Sequence, residues 1–501
     1  MELIEHLALG FGTALSLDNA LYCLLGALIG TAIGVLPGIG PTATVAVLLP
    51  VTYHLTPVAS LIMLAGIYYG SQYGGSTTAI LVNLPGEVSS SVTAIDGYQM
   101  ARKGDAGKAL AIAAIGSFVA GTFATFVIAL VAVPLSRIAL QFGPAEYFSL
   151  ILTGLVTSTA LAHGSMLKAV AAIIAGMLFG LIGIDVDSGA FRYNMGLIEM
   201  SDGLSIVAVA LGIFGVSEIL RNLDDPERAP SGMAKITTLM PTREDLRRSA
   251  MPIVRGSILG SALGTLPGAG SILSAFAAYM LEKRLSRTPA RFGKGAIEGV
   301  AAPEAANNAG AQTSFIPMLT LGLPTNPLMA LMIGALMLHG ITPGPDVIDR
   351  RPELFWGLIA SMWVGNAMLV VLNLPLVGLW VSLLRIPYRL LMPAIVAFSI
   401  IGVFTVGGSD FDVYVLAALS LFGYLLSKLG CEPAPFLMGF VLGAPLEEHL
   451  RRALVFSNGD PSIFVTQPIS AAFLVCAVLI LIAILLPGVS RKREEIFAEE
   501  S

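Results

Sequence analysis

The chain has 501 residues, 55% of them hydrophobic and 12% charged, where a soluble globular protein carries about a quarter charged. That balance excludes a multidomain soluble protein with polar surfaces, and the apolar runs that recur along nearly the whole length make the bilayer the solvent. The net charge of -5 belongs to loops, and no basic stripe is interleaved with aromatics, which argues against nucleic acid as a partner.

In chain order, the N-terminus lacks the basic start and small-residue cleavage pattern of a signal peptide, so the chain is expected to be retained whole. Segments 26–50 and 59–85 are apolar but interrupted by glycine and proline. Longer apolar stretches follow at 109–135, 147–162, 169–184 and 204–220, then the longest polar stretch, 221–255. Beyond it, 256–281 and 310–340 are again interrupted, and 354–384, 391–406, 413–426 and 469–486 are apolar runs. Most approach the ~20 residues a helix needs to cross the hydrocarbon core. Broken helices are tolerated at that depth only where protein or a wet cavity surrounds them, so the interruptions are the informative part. Cys23, Cys431 and Cys476 have no paired spacing, which argues against a disulfide framework and a zinc site and predicts small buried hydrophobes.

An internal repeat spans the polar divide. Residues 26–40 read GALIGTAIGVLPGIG and 256–270 read GSILGSALGTLPGAG, identical at 8 of 15 positions without a gap. More loosely, Gly74-Gly75-Ser76-Thr77-Thr78 leads to Leu84-Pro85-Gly86, as Ala309-Gly310-Ala311-Gln312-Thr313 leads to Leu323-Pro324-Thr325. Charge orients the halves. No Lys or Arg lies in 1–25 or 51–56, around the first motif. Arg221, Arg228, Lys235, Arg243, Arg247, Arg248 and Arg255 precede the second, and Lys283, Arg284, Arg287, Arg291 and Lys294 follow it. Cytoplasmic loops collect basic residues, so the second motif enters from the cytoplasm and the first from outside. Arg491-Lys492-Arg493 places the C-terminus inside, and Asp185, Asp187, Glu199 and Asp202 suit an outer loop. The prediction is an all-α polytopic membrane protein of about ten to twelve crossings, the count not closing around 429–467. Two inverted repeats with broken or re-entrant helices (1–220 and 256–487) flank a cytoplasmic connecting loop, 221–255, and a cytoplasmic tail, 488–501, follows.

Inverted repeats whose broken helices meet near the midplane point to a secondary transporter. Basic residues on both flanks of the second motif favour a re-entrant hairpin there. A helix restarting after a break offers free N–H groups and the positive end of its dipole to an anion. The first restart follows Pro37, Gly38 and Gly40, with Thr42 and Thr44 as hydroxyl donors. The second follows Pro267, Gly268 and Gly270, with Ser271 and Ser274. The glycines ahead of each Pro-Gly read as helix packing. By the looser correspondence, Gly75, Ser76, Thr77, Thr325 and Asn326 join the substrate or ion candidates. Glu304, Asn307 and Asn308 form a further cluster. The carboxamides can coordinate sodium through oxygen or hold a substrate carboxylate through N–H, and Glu304 is the candidate for coupling, as a proton carrier if buried. A solvated helix cap at the cytoplasmic surface is the alternative. Glu87 and Asp96, near Arg102 and Lys103, read as interfacial.

The chain resembles the large membrane subunit of the tripartite tricarboxylate transporter family. The resemblance rests on LPGIGPTATVAVLLP (36–50), YYGSQYGGSTTAILVNLPGE (68–87), PEAANNAGAQTSFIPMLTLGLPTN (303–326) and LGAPLEEHLRRALVFSNGDPSIFVTQPIS (442–470). It implies a small four-helix membrane partner subunit, a periplasmic substrate-binding protein, an organic carboxylate substrate, and a sodium or proton gradient with no cofactor. His449 stands where the family pattern has Asn, and Gln467 where it has Arg, which warns against assuming citrate.

An intramembrane hydrolase needs a serine with a histidine at mid-span, or two facing aspartates. His6, His54, His163, His339 and His449 fall at segment ends or loops, and Gly408-Ser409-Asp410 reads as an outer turn. A passive anion channel is the nearer alternative. The mechanism expected of a carrier is alternating access around a carboxylate held between the two Pro-Gly-x-Gly tips.

Overall fold

A computed structural model of the chain describes residues 2–36, 40–84, 86–161, 165–185, 188–224, 239–266, 270–383 and 388–485. His163, Asp187, Arg228, Lys235 and the tail with Arg491, Lys492 and Arg493 lie outside them. The first helices are α1 (Glu2–Ala14), α2 (Leu17–Val35), α3 (Pro41–Thr52), α4 (Pro57–Val82), α5 (Ser91–Arg102), α6 (Ala106–Ala139), α7 (Pro144–Leu161) and α8 (Met166–Gly180). A two-residue strand pair, Gly183–Ile184 with Phe191–Arg192, leads into α9 (Ile206–Ala210) and α10 (Ser217–Asp224), joined by the wide turn Leu211–Val216. Then come α11 (Arg243–Leu263), α12 (Gly270–Leu285), α13 (Glu298–Thr313), α14 (Phe315–Leu321), α15 (Pro327–Leu338), α16 (Val347–Arg350), α17 (Pro352–Asn373) and α18 (Val377–Leu383). The last are α19 (Tyr388–Gly407), α20 (Asp410–Lys428), α21 (Pro433–Phe456), α22 (Ile463–Thr466) and α23 (Pro468–Leu485).

Among the described residues, five helical stretches are long and apolar enough to cross a membrane: Leu17–Val35, Ala106–Ala139, Ile206–Leu223, Pro352–Asn373 and Asp410–Lys428. The chain is a multi-pass, all-α membrane protein. Helix ends follow local chemistry. Proline at the first turn starts α3, α4, α15, α17 and α21, where its missing N–H costs nothing. Asn83 (φ 59) and Gly322 (φ 68) end α4 and α14 in the left-handed conformation that stops a helix.

Packing turns on the glycine repeat. A Cβ at Gly26, Gly30 or Gly34 of α2 would fall on the carbonyl oxygen of Met63, Ile67 or Ser71 of α4. One at Gly256, Gly260 or Gly264 of α11 would fall on that of Ala302, Ala306 or Gly310 of α13. Each contact advances by one turn on both helices, so α2 runs parallel to α4 and α11 parallel to α13. The intervening α3 and α12 must therefore run back, and each broken segment is a helical hairpin. Ser76 of α4 reaches Glu304 of α13, while Tyr68, two turns earlier, lies beside Ser314, so α4 and α13 are antiparallel. Both are central: α4 is buried from Ala59 to Val82 and α13 from Gly299 to Thr313.

Several readings are corrected. The stretch 59–85 is not interrupted at its glycines: α4 runs unbroken from Pro57 to Val82, and the chain breaks only beyond its end. Helix α11 begins inside the predicted loop 221–255, because Thr242 and Asp245 close a capping box ahead of Arg243. The run 354–384 is two helices, divided after Asn373 at Pro375. The uncounted region 429–467 holds one continuous 24-residue helix, α21. His449 is inside it, stacked on Tyr147 at 5.0 Å, and His6 is inside α1, stacked on Trp356 at 5.0 Å. Cys23 is buried, but Cys431 is half-buried and Cys476 exposed, on an α23 that carries no charged side chain and offers thiols and alkyl groups alike to lipid. Arg192, after α8, grips Glu447 of α21 through two bonds of 2.8 and 2.9 Å and also pairs with Asp185.

Gly30→Ala and Gly260→Ala should each destabilise the purified protein by about 2 kcal/mol or more, since a backbone carbonyl cannot yield to the added methyl. Gly12→Ala, with nothing within 4 Å, is the control. Equal melting temperatures for all three would show that the glycine contacts do not set the packing.

Candidate ligand site at the helix breaks

One hydrogen bond recurs beyond the two hairpin turns, although Gly40 is extended (φ -73) and Gly270 is at positive φ. Thr44 donates its hydroxyl to Gly40 O at 3.1 Å, and Ser274 donates to Gly270 O at 2.8 Å, so each returning helix opens with the same bond. Pro37, Gly38, Pro267 and Gly268 lie outside the described residues. Gly40 faces open space, with nothing within 4 Å of an added Cβ, and Thr42 stands on the first turn of α3. Gly270 has φ 42, which glycine adopts without strain, and the Nδ2 of Asn326 lies 3.9 Å from where its Cβ would be. Ser271 packs against Gly310 of α13, its Cα 3.3 Å from an added methyl there.

After α4 ends at Asn83 the chain folds back along that helix. Gly86 sits against Gly34 O and the Cα of Gly75, where any side chain would collide. Ser71 then donates to the Glu87 carboxylate at 2.5 Å. In the second half, Asn326 accepts from Met329 N at 2.9 Å as the cap of α15, and its Nδ2 donates to the Tyr68 hydroxyl at 3.3 Å. Ser271 and Ser314 also stand near that hydroxyl. Tyr68 thus gathers the second hairpin and the second fold-back loop onto α4.

Glu304 is fully buried, which removes the solvated-cap reading. Its Oε1 accepts from Thr93 at 2.5 Å, and its Oε2 from Ser76 at 2.7 Å and Ser117 at 3.4 Å. Asn308 donates to the Ser117 hydroxyl at 2.7 Å, tying α13 to α6. Thr77 bonds only its own helix, at 3.4 Å from Tyr73 O. Asn307 is 1% exposed, and neither its Oδ1 nor its Nδ2 has a partner. On the wheel of α13 it falls between Glu304, which faces α4 and α5, and Gly310, which faces Ser271. Thr325 is buried with its hydroxyl unpartnered. Unpaired polar atoms cost free energy in an apolar interior, so these are the groups with most to gain from a ligand.

Sequence reasoning brings Ser76 to Glu304 and Gly270 and Ser271 towards Asn326 only as members of one list. It missed Tyr68, Thr93 and Ser117, whose signal is a lone hydroxyl in a buried helix. It also misplaced Asp96. That carboxylate is fully buried, accepting from Gly295 N and Ala296 N, both at 2.7 Å, and from Tyr279 at 3.0 Å. Free N–H groups ahead of α13 need an acceptor, and Asp96 supplies it from the other half. Lys103 instead donates to Lys294 O at 2.5 Å.

The model of the family described as "Tripartite tricarboxylate transporter TctA family" matches residues 20–438. Among curated proteins, the chain is 57% identical over 500 residues, covering all of both chains, to an Agrobacterium vitis protein called "Uncharacterized 52.8 kDa protein in TAR-I ttuC' 3'region". It is 59% identical over 241 residues, 48% of this chain and all of the other, to "Uncharacterized protein in TAR-II ttuC' 3'region" from the same organism. No solved structure matches the chain.

Asp96→Ala strands two backbone N–H groups and a phenol in the interior and should lower the unfolding free energy by about 3 kcal/mol. Asp96→Asn, which keeps an acceptor oxygen, should cost less. A thermal melt of each purified variant measures the order, and an unchanged melt for Asp96→Ala would remove the staple.

Proposed function

Because the chain belongs to the tripartite tricarboxylate transporter TctA family, we propose that it is the membrane-spanning permease of a secondary carrier importing organic tri- or dicarboxylates. A periplasmic binding protein delivers the acid, a small four-helix membrane subunit completes the complex, and a sodium or proton gradient drives uptake. The chain lies in the bacterial inner membrane with its C-terminus in the cytoplasm.

The observation that carries this reading is the buried, unpaired carboxamide of Asn307, between Glu304 and the start of α12. A carboxylate there accepts from Asn307 Nδ2, from the Ser271 hydroxyl and from the first N–H groups of α12, favoured by that helix's dipole. Desolvation raises the worth of each bond. Alternating access follows from the halves being inverted repeats. Supporting that relation are the matched glycine contacts, the matched Thr44 and Ser274 bonds, and the antiparallel course of α4 and α13. Two arrangements of the halves, related by the inversion, expose one site to either side.

The test is uptake of labelled di- and tricarboxylates by cells with and without this gene, in sodium-containing and sodium-free buffer. Loss of one acid's saturable, gradient-dependent uptake supports the carrier, whereas uptake without gradient dependence supports a passive anion channel. Asn307→Leu should cut uptake about tenfold or more with the melting temperature held or raised, because it replaces an unsatisfied amide by an apolar group of similar size. A variant that melts earlier yet transports normally would make Asn307 a packing residue.

A further inference from the structure

Where Tyr73, Ser76 and Thr77 of α4 meet Ser117, Glu304 and Asn373, they bound a cavity of about 20 Å³, closed on its other side by alanine and leucine side chains of α6 and by Leu374, enough for one particle the size of a water. One side of its wall carries oxygen. Glu304 brings a carboxylate, held by the Ser76, Thr93 and Ser117 hydroxyls. Asn373, at the end of α17, donates its Nδ2 to Leu369 O at 2.9 Å, which fixes the amide and leaves Oδ1 as the free atom. That oxygen is buried and has no partner. Thr77, whose own bond is long at 3.4 Å, adds a hydroxyl.

This donor set has a definite chemistry. Carboxylate, hydroxyl and carboxamide oxygens are hard ligands, suited to alkali and alkaline-earth cations and not to zinc or copper. Among the described residues no Lys, Arg or His pairs with Glu304, and no group of three or more His, Cys, Asp or Glu exists that could hold a metal ion. One carboxylate balances one positive charge, which disfavours calcium, and the five donor oxygens are fewer than potassium takes. A buried carboxylate without a counter-charge is costly, and a cation in the adjoining cavity removes that cost in competition with a proton on Glu304.

We propose that this cavity is a sodium site, with Glu304 as the balancing charge and the Asn373 Oδ1, Ser76, Thr77 and Ser117 oxygens as neutral ligands. The ligands come from α4 and α6 of the first half and α13 and α17 of the second, so a bound ion fastens the halves in one arrangement. Ser76 follows Gly75, against which the loop bearing Glu87 is folded, and Glu304 lies one turn from Asn307. Ion and carboxylate then stabilise the same local geometry, and each raises the affinity for the other. This coupling, unlike the ion site itself, rests on the transport reading.

The test is ²²Na⁺ binding to the purified full-length chain, with unlabelled Na⁺, K⁺ and Ca²⁺ as competitors and no carboxylate present. Saturable binding is expected, with K⁺ and Ca²⁺ at least about tenfold weaker as competitors. Glu304→Gln should weaken binding about tenfold or more, and Asn373→Leu severalfold. Asn373→Asp places a second carboxylate at the cavity and should turn the preference towards Ca²⁺, a gain that misfolding cannot imitate. Absence of saturable sodium binding by folded wild-type chain, or equal binding by folded Glu304→Gln, overturns the site. So does an Asn373→Asp variant with unaltered ion preference. Ion binding needs neither carboxylate nor partner proteins, so its failure leaves the transport reading standing, and a failure of uptake leaves the ion site standing.

Discussion

Two backbone contacts govern the rest of the molecule: α2 against α4 and α11 against α13. In a bilayer, helices gain little from the hydrophobic effect when they associate, and close van der Waals approach takes its place. Gly26, Gly30, Gly34 and Gly256, Gly260, Gly264 let carbonyl oxygens of the neighbouring helix sit where side chains would otherwise stand. Those contacts fix both direction and height. They bring the end of α2 level with Ser71 of α4 and the end of α11 level with Gly310 of α13, so the chain breaks beside the most buried helices.

What the breaks are brought beside is unusually polar. Helix α4 carries Ser71, Gln72, Ser76, Thr77 and Thr78, and α13 carries Glu304, Asn307, Asn308, Gln312 and Thr313, all buried. The Thr78 and Thr313 hydroxyls turn back to carbonyls of their own helix, which satisfies them without outside help, whereas Ser71 and Ser76 reach the carboxylates of Glu87 and Glu304. Asp96 and Glu304, both buried, divide the work differently. Asp96 is saturated by N–H and phenol donors and staples α5 to the start of α13. Glu304 is held by hydroxyls, which can donate to it and still present oxygen lone pairs to a neighbour. The first arrangement is closed and the second leaves capacity for another group.

Much of this was legible because the motifs are local and repeated. The GxxxGxxxG spacing marks a close helix face wherever it occurs, and Pro-Gly-x-Gly marks an interruption. The partner residues were not legible. Thr93, Ser76 and Ser117 stand 211, 228 and 187 residues from Glu304, and nothing in the spacing of hydroxyls along α4, α5 or α6 states which carboxylate they face. Asp96 read as interfacial because Arg102 and Lys103 are near in sequence, whereas its carboxylate is buried and taken up by Gly295 N, Ala296 N and Tyr279. The start of α11 was missed for a different reason: charged residues at its N-terminus suit a helix end as well as a loop, and only the capping box distinguishes them.

The sequence by itself determined the apolar setting, most of the helices, the repeated glycine motif and three of the four expected interruptions, those in 26–50, 256–281 and 310–340. These follow from hydropathy, from the missing N–H of proline and from the missing Cβ of glycine, which act within a few residues. Only the tertiary structure decided which polar groups meet, that Asp96 is a staple and Glu304 a caged carboxylate, and that Asn307 and the Asn373 oxygen go without partners. Those outcomes depend on the height at which distant helices are packed, and that height is set by backbone contacts between segments that no local pattern connects.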